Sequence, residues 1–265
     1  MRFRRSSLSS ALVGALALAA AVPVPAQQCV NRPNIMICGS SGATGSALYQ
    51  GVGPFTEVSG CTPDGDTQAL FVTRDGSVSG NQASWTAYLN AGGRIITEYD
   101  SANNVYNEVY GTAYGDGGQF GDCADNAMPS EKLNVSDPFW VAHPFPPTAH
   151  DAEGCGTSDL QALVGGEASV TPLGGLVDYP GSVTFARRYQ GSGVLWLVDA
   201  DWQDGNQNAN SAAFMGALIT DCGTAPPVVV KNVPVPVDDP LAIGGLAGLI
   251  GLLGAAFARL RRSSR

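Results

Sequence analysis

The sequence predicts an α/β fold: a largely parallel sheet flanked by helices as a three-layer sandwich, with a long irregular insertion and a C-terminal transmembrane helix. Three observations predict it. Short apolar runs of strand length alternate with segments of helical period between residues 34 and 220. The links between them are short and rich in Gly, Asp and Asn. In a chain of 265 residues, 44% are hydrophobic and only 14% charged, which excludes a disordered polyelectrolyte and a coiled coil.

The elements follow in order. Residues 1–26 read as a secretory signal, with Arg2, Arg4 and Arg5 as a positive start, an apolar run over 11–22 and the small-residue site Val24-Pro25-Ala26. The exported domain is expected over 27–224. Asn34–Cys38 is an apolar strand feeding Gly39-Ser40-Ser41-Gly42-Ala43-Thr44-Gly45, after which 46–52 continues as a short helix. Strands are expected over 56–61 and 69–73. Gln82–Asn90 places Trp85, Tyr88 and Leu89 at helical spacing, Gly92-Gly93 ends it, and 94–99 is the next strand.

From 111 to about 165 no period is sustained, so a long excursion is expected there. Runs at 181–189 and 193–198, separated by Gln190-Gly191-Ser192, form a hairpin. A last helix over 209–220 carries Ala213, Phe214, Ala217 and Leu218 on one face. A Pro-rich linker, 225–240, leads to an apolar run over 241–258 and to Arg259, Arg261 and Arg262. That run is long enough to span a bilayer, and the positive-inside rule keeps the Arg cluster cytoplasmic.

Charge narrows the function classes. Seven of the 14 Lys and Arg residues sit at the two chain ends, against 23 Asp and Glu overall, so the middle is acidic and a nucleic-acid partner is excluded. The six cysteines all fall in the exported part, where an even number favours three disulfides. In a parallel sheet Cys29 and Cys222 belong at the lower edge, Cys38 and Cys61 end strands at the upper edge, and Cys123 and Cys155 share the excursion. The expected pairs are therefore Cys29 with Cys222, Cys38 with Cys61, and Cys123 with Cys155. Metal binding by cysteine is disfavoured, because no pair has C-x-x-C spacing.

Candidate sites are few. The glycine stretch 39–45 sits where a dinucleotide could rest, yet a glycine turn is the plainer reading, and no cofactor is expected apart from calcium. Ser101, after the 94–99 strand, is the one hydroxyl at a nucleophile position, and Glu98, Asp100, His143 and His150 are the groups available to complete a triad. Asp199, Asp201 and Asp204 offer a calcium site that starts D-x-D but lacks a late Glu; helix caps and a solvated turn are the competing account. Such folds place ligands at the C-terminal edge of the sheet, where Asp75, Glu98 and Asp100 also belong.

Two resemblances add to this. The short Pro-containing motif Val233-Pro234-Val235-Pro236-Val237-Asp238-Asp239-Pro240, the apolar run and the Arg cluster together resemble bacterial exosortase-type sorting signals of the PEP-CTERM and IPTL-CTERM kind, over 233–265. The resemblance implies a sorting or processing protease of the exosortase type as partner, with a plain membrane anchor as the alternative. It also implies the envelope or surface of a Gram-negative bacterium. Separately, Ala91-Gly92-Gly93 running into Arg94-Ile95-Ile96-Thr97-Glu98, together with the late hairpin and closing helix, resembles class I glutamine-amidotransferase-like, flavodoxin-like domains. Those enzymes carry a nucleophilic Cys on the tight turn after the central strand, where this chain has Glu98-Tyr99-Asp100-Ser101-Ala102. The expectation is the fold without that chemistry: a non-catalytic exported envelope or surface protein, the alternative being an extracytoplasmic hydrolase at the C-terminal sheet edge.

Overall fold

The computed structural model describes residues 31–39, 55–115, 119–120, 130–146, 157–158, 160–199 and 210–221. The signal segment 1–26, the 40–45 turn, the 46–52 helix, His150, Asp201, Asp204, Cys29, Cys123, Cys155, Cys222, the sorting motif at Val233, Pro234, Val235 and Pro236, and the 241–258 run lie outside the described residues. Among the described residues no helix is long and apolar enough to cross a membrane.

The chain forms β1 (Asn34–Cys38), β2 (Thr56–Ser59) and β3 (Thr67–Val72), then α1 (Gln82–Asn90), β4 (Arg94–Thr97) and α2 (Ser101–Tyr110). Among its described residues the excursion holds short pieces: β5 (Gln119–Phe120), β6 (Ser130–Lys132), α3 (Pro138–Ala142), β7 (Thr157–Ser158) and α4 (Gln161–Gly166). Regular structure resumes with β8 (Thr171–Leu176), β9 (Phe185–Gln190), β10 (Gly193–Val198) and α5 (Ser211–Thr220).

The main sheet has eight strands in the order β2-β1-β3-β4-β10-β9-β8-β6. The first five run parallel. The last three pair antiparallel. The sheet is therefore mixed, and the expectation of a largely parallel sheet is corrected. The cause is local: Gly191, at φ 57°, and Ser192 close β9 onto β10 in a two-residue turn, with Gly193 opposite Gln190, so β9 reverses direction and β8 and β6 are added along its free edge.

Helices cover both faces. On one, α1, α2 and α4 pack Trp85, Leu89, Val105, Tyr106 and Leu163 against Leu70, Ile95 and Leu195. On the other, α3 and α5 pack Phe139, Trp140, Phe214 and Leu218 against Ile37, Ile96 and Trp196. Because both faces are covered, β3, β4 and β10 are buried at every residue; β10 is an unbroken apolar run, while β3 and β4 also bury Thr67, Gln68, Arg94 and Thr97 at their ends.

Some boundaries move for identifiable reasons. The second strand stops at Ser59 rather than at residue 61, because Gly60 turns away at φ 153°. The first arm of the hairpin begins at Phe185 rather than at residue 181: Gly181 has φ 90°, and Ser182 N donates to Tyr179 O at 3.0 Å in a turn.

Candidate functional site at the C-terminal edge of the sheet

Four parallel strands end side by side at one edge, at Cys38, Val72, Thr97 and Val198. Thr97 fastens two of them. Its hydroxyl accepts from Val198 N at 2.8 Å and donates to Val198 O at 3.1 Å. Glu98 and Asp199 follow directly on these neighbouring strands, 5% and 0% exposed, and Asp199 N donates to Thr184 O at 3.0 Å.

The link from β4 to α2 is a tight strained turn. Tyr99 sits at its vertex with φ 50°, one of two non-glycine residues in the left-handed region among those described. Ser101 N reaches back to Glu98 O at 3.1 Å and Ala102 N to Tyr99 O at 3.3 Å. An L-residue held there carries about 1–2 kcal/mol of strain, so the backbone has the strand–turn–helix shape that presents a side chain above a sheet edge. In this chain the side chain presented is a phenol.

Ser101 lies one turn further on and is 1% exposed. Its hydroxyl donates to Val72 O at 2.9 Å and accepts from Glu98 N at 3.0 Å. Both bonds are to backbone, so the oxygen splices the α2 start onto the ends of β3 and β4. Glu98 Oε2 accepts from Arg74 N at 3.3 Å. Asp75, exposed nearby, accepts from the Thr73 hydroxyl at 2.6 Å.

The structure does not bring His143 to this edge. Its Nε2 lies 3.3 Å from Asp221 Oδ2 and its ring stacks on Phe145 at 5.7 Å. Asp221 O in turn accepts from the Nε of Arg94, the first residue of β4, at 3.2 Å. His143 therefore belongs to the N-terminal edge, at the other end of β4 from Ser101. Of the calcium residues only Asp199 is described, and among the described residues no group of three or more His, Cys, Asp or Glu side chains is placed to hold a metal ion.

Cys38 and Cys61 form a disulfide with Cα atoms 4.4 Å apart. It joins the end of β1 to the residue pair just beyond β2. Trp85 supports it from α1, its Nε1 donating to Cys61 O at 2.7 Å.

Sequence reasoning missed a polar cluster inside the hairpin strand β9. Arg188 lies over the Tyr110 ring, 3.5 Å from its centroid, hydrogen-bonds the Tyr106 hydroxyl, and pairs with Glu167 at 3.4 Å. Burial raises the Tyr106 phenol to about 12 even though Arg188 pulls it down. Arg187, on the opposite face, pairs with Asp137 at 2.5 Å. The signal was present: two adjacent arginines interrupt an otherwise strand-like run, Phe185-Ala186-Arg187-Arg188-Tyr189, and Arg in a buried strand needs a partner on each face.

No family model matches this chain, and no curated protein matches it. Among solved structures it is similar to the PurLQS structure from Thermotoga maritima, with a TM-score of 0.42 and 11% identity over 71% of this chain and 98% of that one. A score of that size carries no argument for this chain, whose fold class rests on its own strand order.

Proposed function

We propose that the chain is a non-catalytic exported protein of the bacterial envelope or surface, a flavodoxin-like three-layer domain held or sorted through its C-terminal helix. One observation carries the non-catalytic part: at the turn where a nucleophile would be presented, Tyr99 takes the vertex and the Ser101 hydroxyl is committed to two backbone partners. The Cys38–Cys61 disulfide supports an oxidising compartment. The five parallel strands in the order 2-1-3-4-10 support the flavodoxin-like reading, since that is the doubly wound 2-1-3-4-5 pattern.

The tail supports a tether. Residues 241–258 supply the span, the Arg cluster the cytoplasmic end, and Val233, Pro234, Val235 and Pro236 the motif at which an exosortase-type protease would act. The retained backbone of the strained turn favours the second reading, a hydrolase at the same edge. A panel of amide, ester and glycoside substrates separates the two: no turnover above blank is expected, and turnover abolished by Ser101→Ala or Tyr99→Phe would overturn the non-catalytic reading. For the tether, fractionation and intact mass from the native cell are decisive. The expected product starts near Gln27 and is membrane-bound or trimmed near 233–239; a full-length soluble product would overturn it.

A further inference from the structure

The sheet face under α3 and α5 carries side chains that this reading does not use. Arg187 of β9 is 3% exposed. Directly across the hairpin is Trp196 of β10, 0% exposed. Tyr189 lies two residues along β9 and so shares the face, with the Arg187 guanidinium 4.9 Å from its ring centroid. Asp137, which caps α3, takes one corner of the guanidinium: its Oδ2 is 2.5 Å from Nη2, and its Oδ1 accepts from Phe139 N at 2.9 Å.

The atoms left over are of one kind. Arg187 Nε and Nη1, Trp196 Nε1 and Tyr189 Oη are all buried, and none has a hydrogen-bond partner among the described residues. The Arg and Trp nitrogens only donate, and the phenol is free to donate. Buried polar groups are almost always paired, so a set of unanswered donors on neighbouring strands asks for a shared acceptor. Water answers it poorly, because it brings two hydrogens of its own to a group of donors. An oxyanion brings only acceptors, and a buried guanidinium strengthens each bond to it.

We infer that this face holds a small carboxylate monoanion, bound by Arg187 with Tyr189 and Trp196 as neutral donors. Charge sets the choice of a monoanion. Asp137 already neutralises part of Arg187; burial is the main cause that raises the Tyr189 phenol, Arg187 pulls it down, and Asp221 and Asp137 oppose its ionisation, so the second charge of a dianion meets two carboxylates with the one guanidinium already shared. The inference stands apart from the export reading, since it uses neither the tail nor the strained turn.

The test titrates the full-length chain at pH 7 and fixed ionic strength with sodium acetate, inorganic phosphate and sodium chloride, read by calorimetry and melting temperature. Acetate is expected to give a saturable response and a rise in melting temperature, phosphate a weaker one, and chloride none beyond the ionic-strength background. Tyr189→Phe removes one donor and keeps the ring, so it should weaken acetate binding about threefold to tenfold. Arg187→Lys, if it folds, should abolish it. A flat acetate titration of the folded wild type overturns the inference, as does an affinity unchanged in Tyr189→Phe. A crystal grown in acetate with only ordered waters on these four atoms overturns it as well.

Discussion

Ser101 donates its hydroxyl hydrogen to the Val72 carbonyl at 2.9 Å, tying the first residue of α2 to the last residue of β3. The same oxygen accepts from Glu98 N. Ser101→Ala removes both hydroxyl bonds and leaves the Glu98 amide and the Val72 carbonyl with only their own bond of 3.2 Å to each other; each bond lost costs about 0.5–1.5 kcal/mol. The expected loss is about 2 kcal/mol in denaturant unfolding, with the midpoint shifted and the slope unchanged. No activity should change with it; a loss below about 0.5 kcal/mol would mean the hydroxyl is not structurally committed.

Tyr99 tests the strain at the turn by a difference between two variants. Both Tyr99→Ala and Tyr99→Gly remove the ring and its contacts, while only Gly is at ease at φ 50°. Tyr99→Gly is therefore expected to be more stable than Tyr99→Ala by about 1 kcal/mol. Equal stabilities would show that the turn relaxes out of the left-handed region.

How far the sequence spoke for this fold depends on whether an element announced itself by period. Asn34–Cys38, Gln82–Asn90 and Gly193–Val198 appear at the residues expected, because each is an apolar run or stripe bounded by Gly or Asn. α2 does not announce itself as a helix. Its sequence, Ser-Ala-Asn-Asn-Val-Tyr-Asn-Glu-Val-Tyr, is rich in Asn and β-branched residues of poor helix propensity, yet Ala102, Val105, Tyr106 and Val109 recur at the spacing of one helical face and all four are buried. β8 was hidden by Pro172, Gly174 and Gly175, which are tolerated because the strand pairs irregularly with β9. At the site, the position of Ser101 after β4 was legible. The two backbone partners of its hydroxyl were not, since they come from 29 residues away and from the turn itself.

The Cys38–Cys61 bridge closes a loop with a sequence separation of 23. Chain entropy gives about 3 kcal/mol for a loop of that size. The double variant Cys38→Ala with Cys61→Ala is expected to lose about that much by denaturant unfolding under oxidising conditions, and reductant should lower wild-type stability toward it. Wild type and variant with equal midpoints would mean that β1, β2 and the Trp85 contact hold this corner without the bridge.

Gly193 begins β10 where two backbones crowd it. A Cβ there would lie 2.3 Å from both the Gly93 and Leu89 carbonyl oxygens, and 2.9 Å from Leu89 Cα. Backbone cannot step aside as a flexible side chain can, so Gly193→Ala must part α1 from β10. A loss of about 3 kcal/mol or outright failure to fold is expected. Gly65→Ala is the control, because a Cβ at Gly65 meets nothing within 4 Å; that variant should lie within about 0.5 kcal/mol of wild type. Similar stabilities for the two variants would contradict the close approach.

Alkaline pH should unfold the domain through its tyrosines. Burial raises Tyr88, Tyr106 and Tyr189 from near 10 to about 12, and pushes Tyr110 up as well. A raised folded pKa means the folded chain holds these protons more tightly than the unfolded chain does. Their contribution is therefore fully present below pH 10 and is lost as the pH rises through about 12. Phenolate absorbance should accordingly lag behind that of free tyrosine and then rise together with the loss of helical circular dichroism between pH 10 and 12. Two variants separate causes. Tyr88→Phe gives up the bond from its hydroxyl to Thr67 O at 3.1 Å and should cost about 1 kcal/mol at pH 7. Tyr110→Phe removes a buried hydroxyl that has no partner among the described residues, so it should be neutral or stabilising at pH 7 and shift alkaline unfolding upward. Smooth phenolate titration centred near pH 10, with the fold intact, would show that these rings are open to solvent.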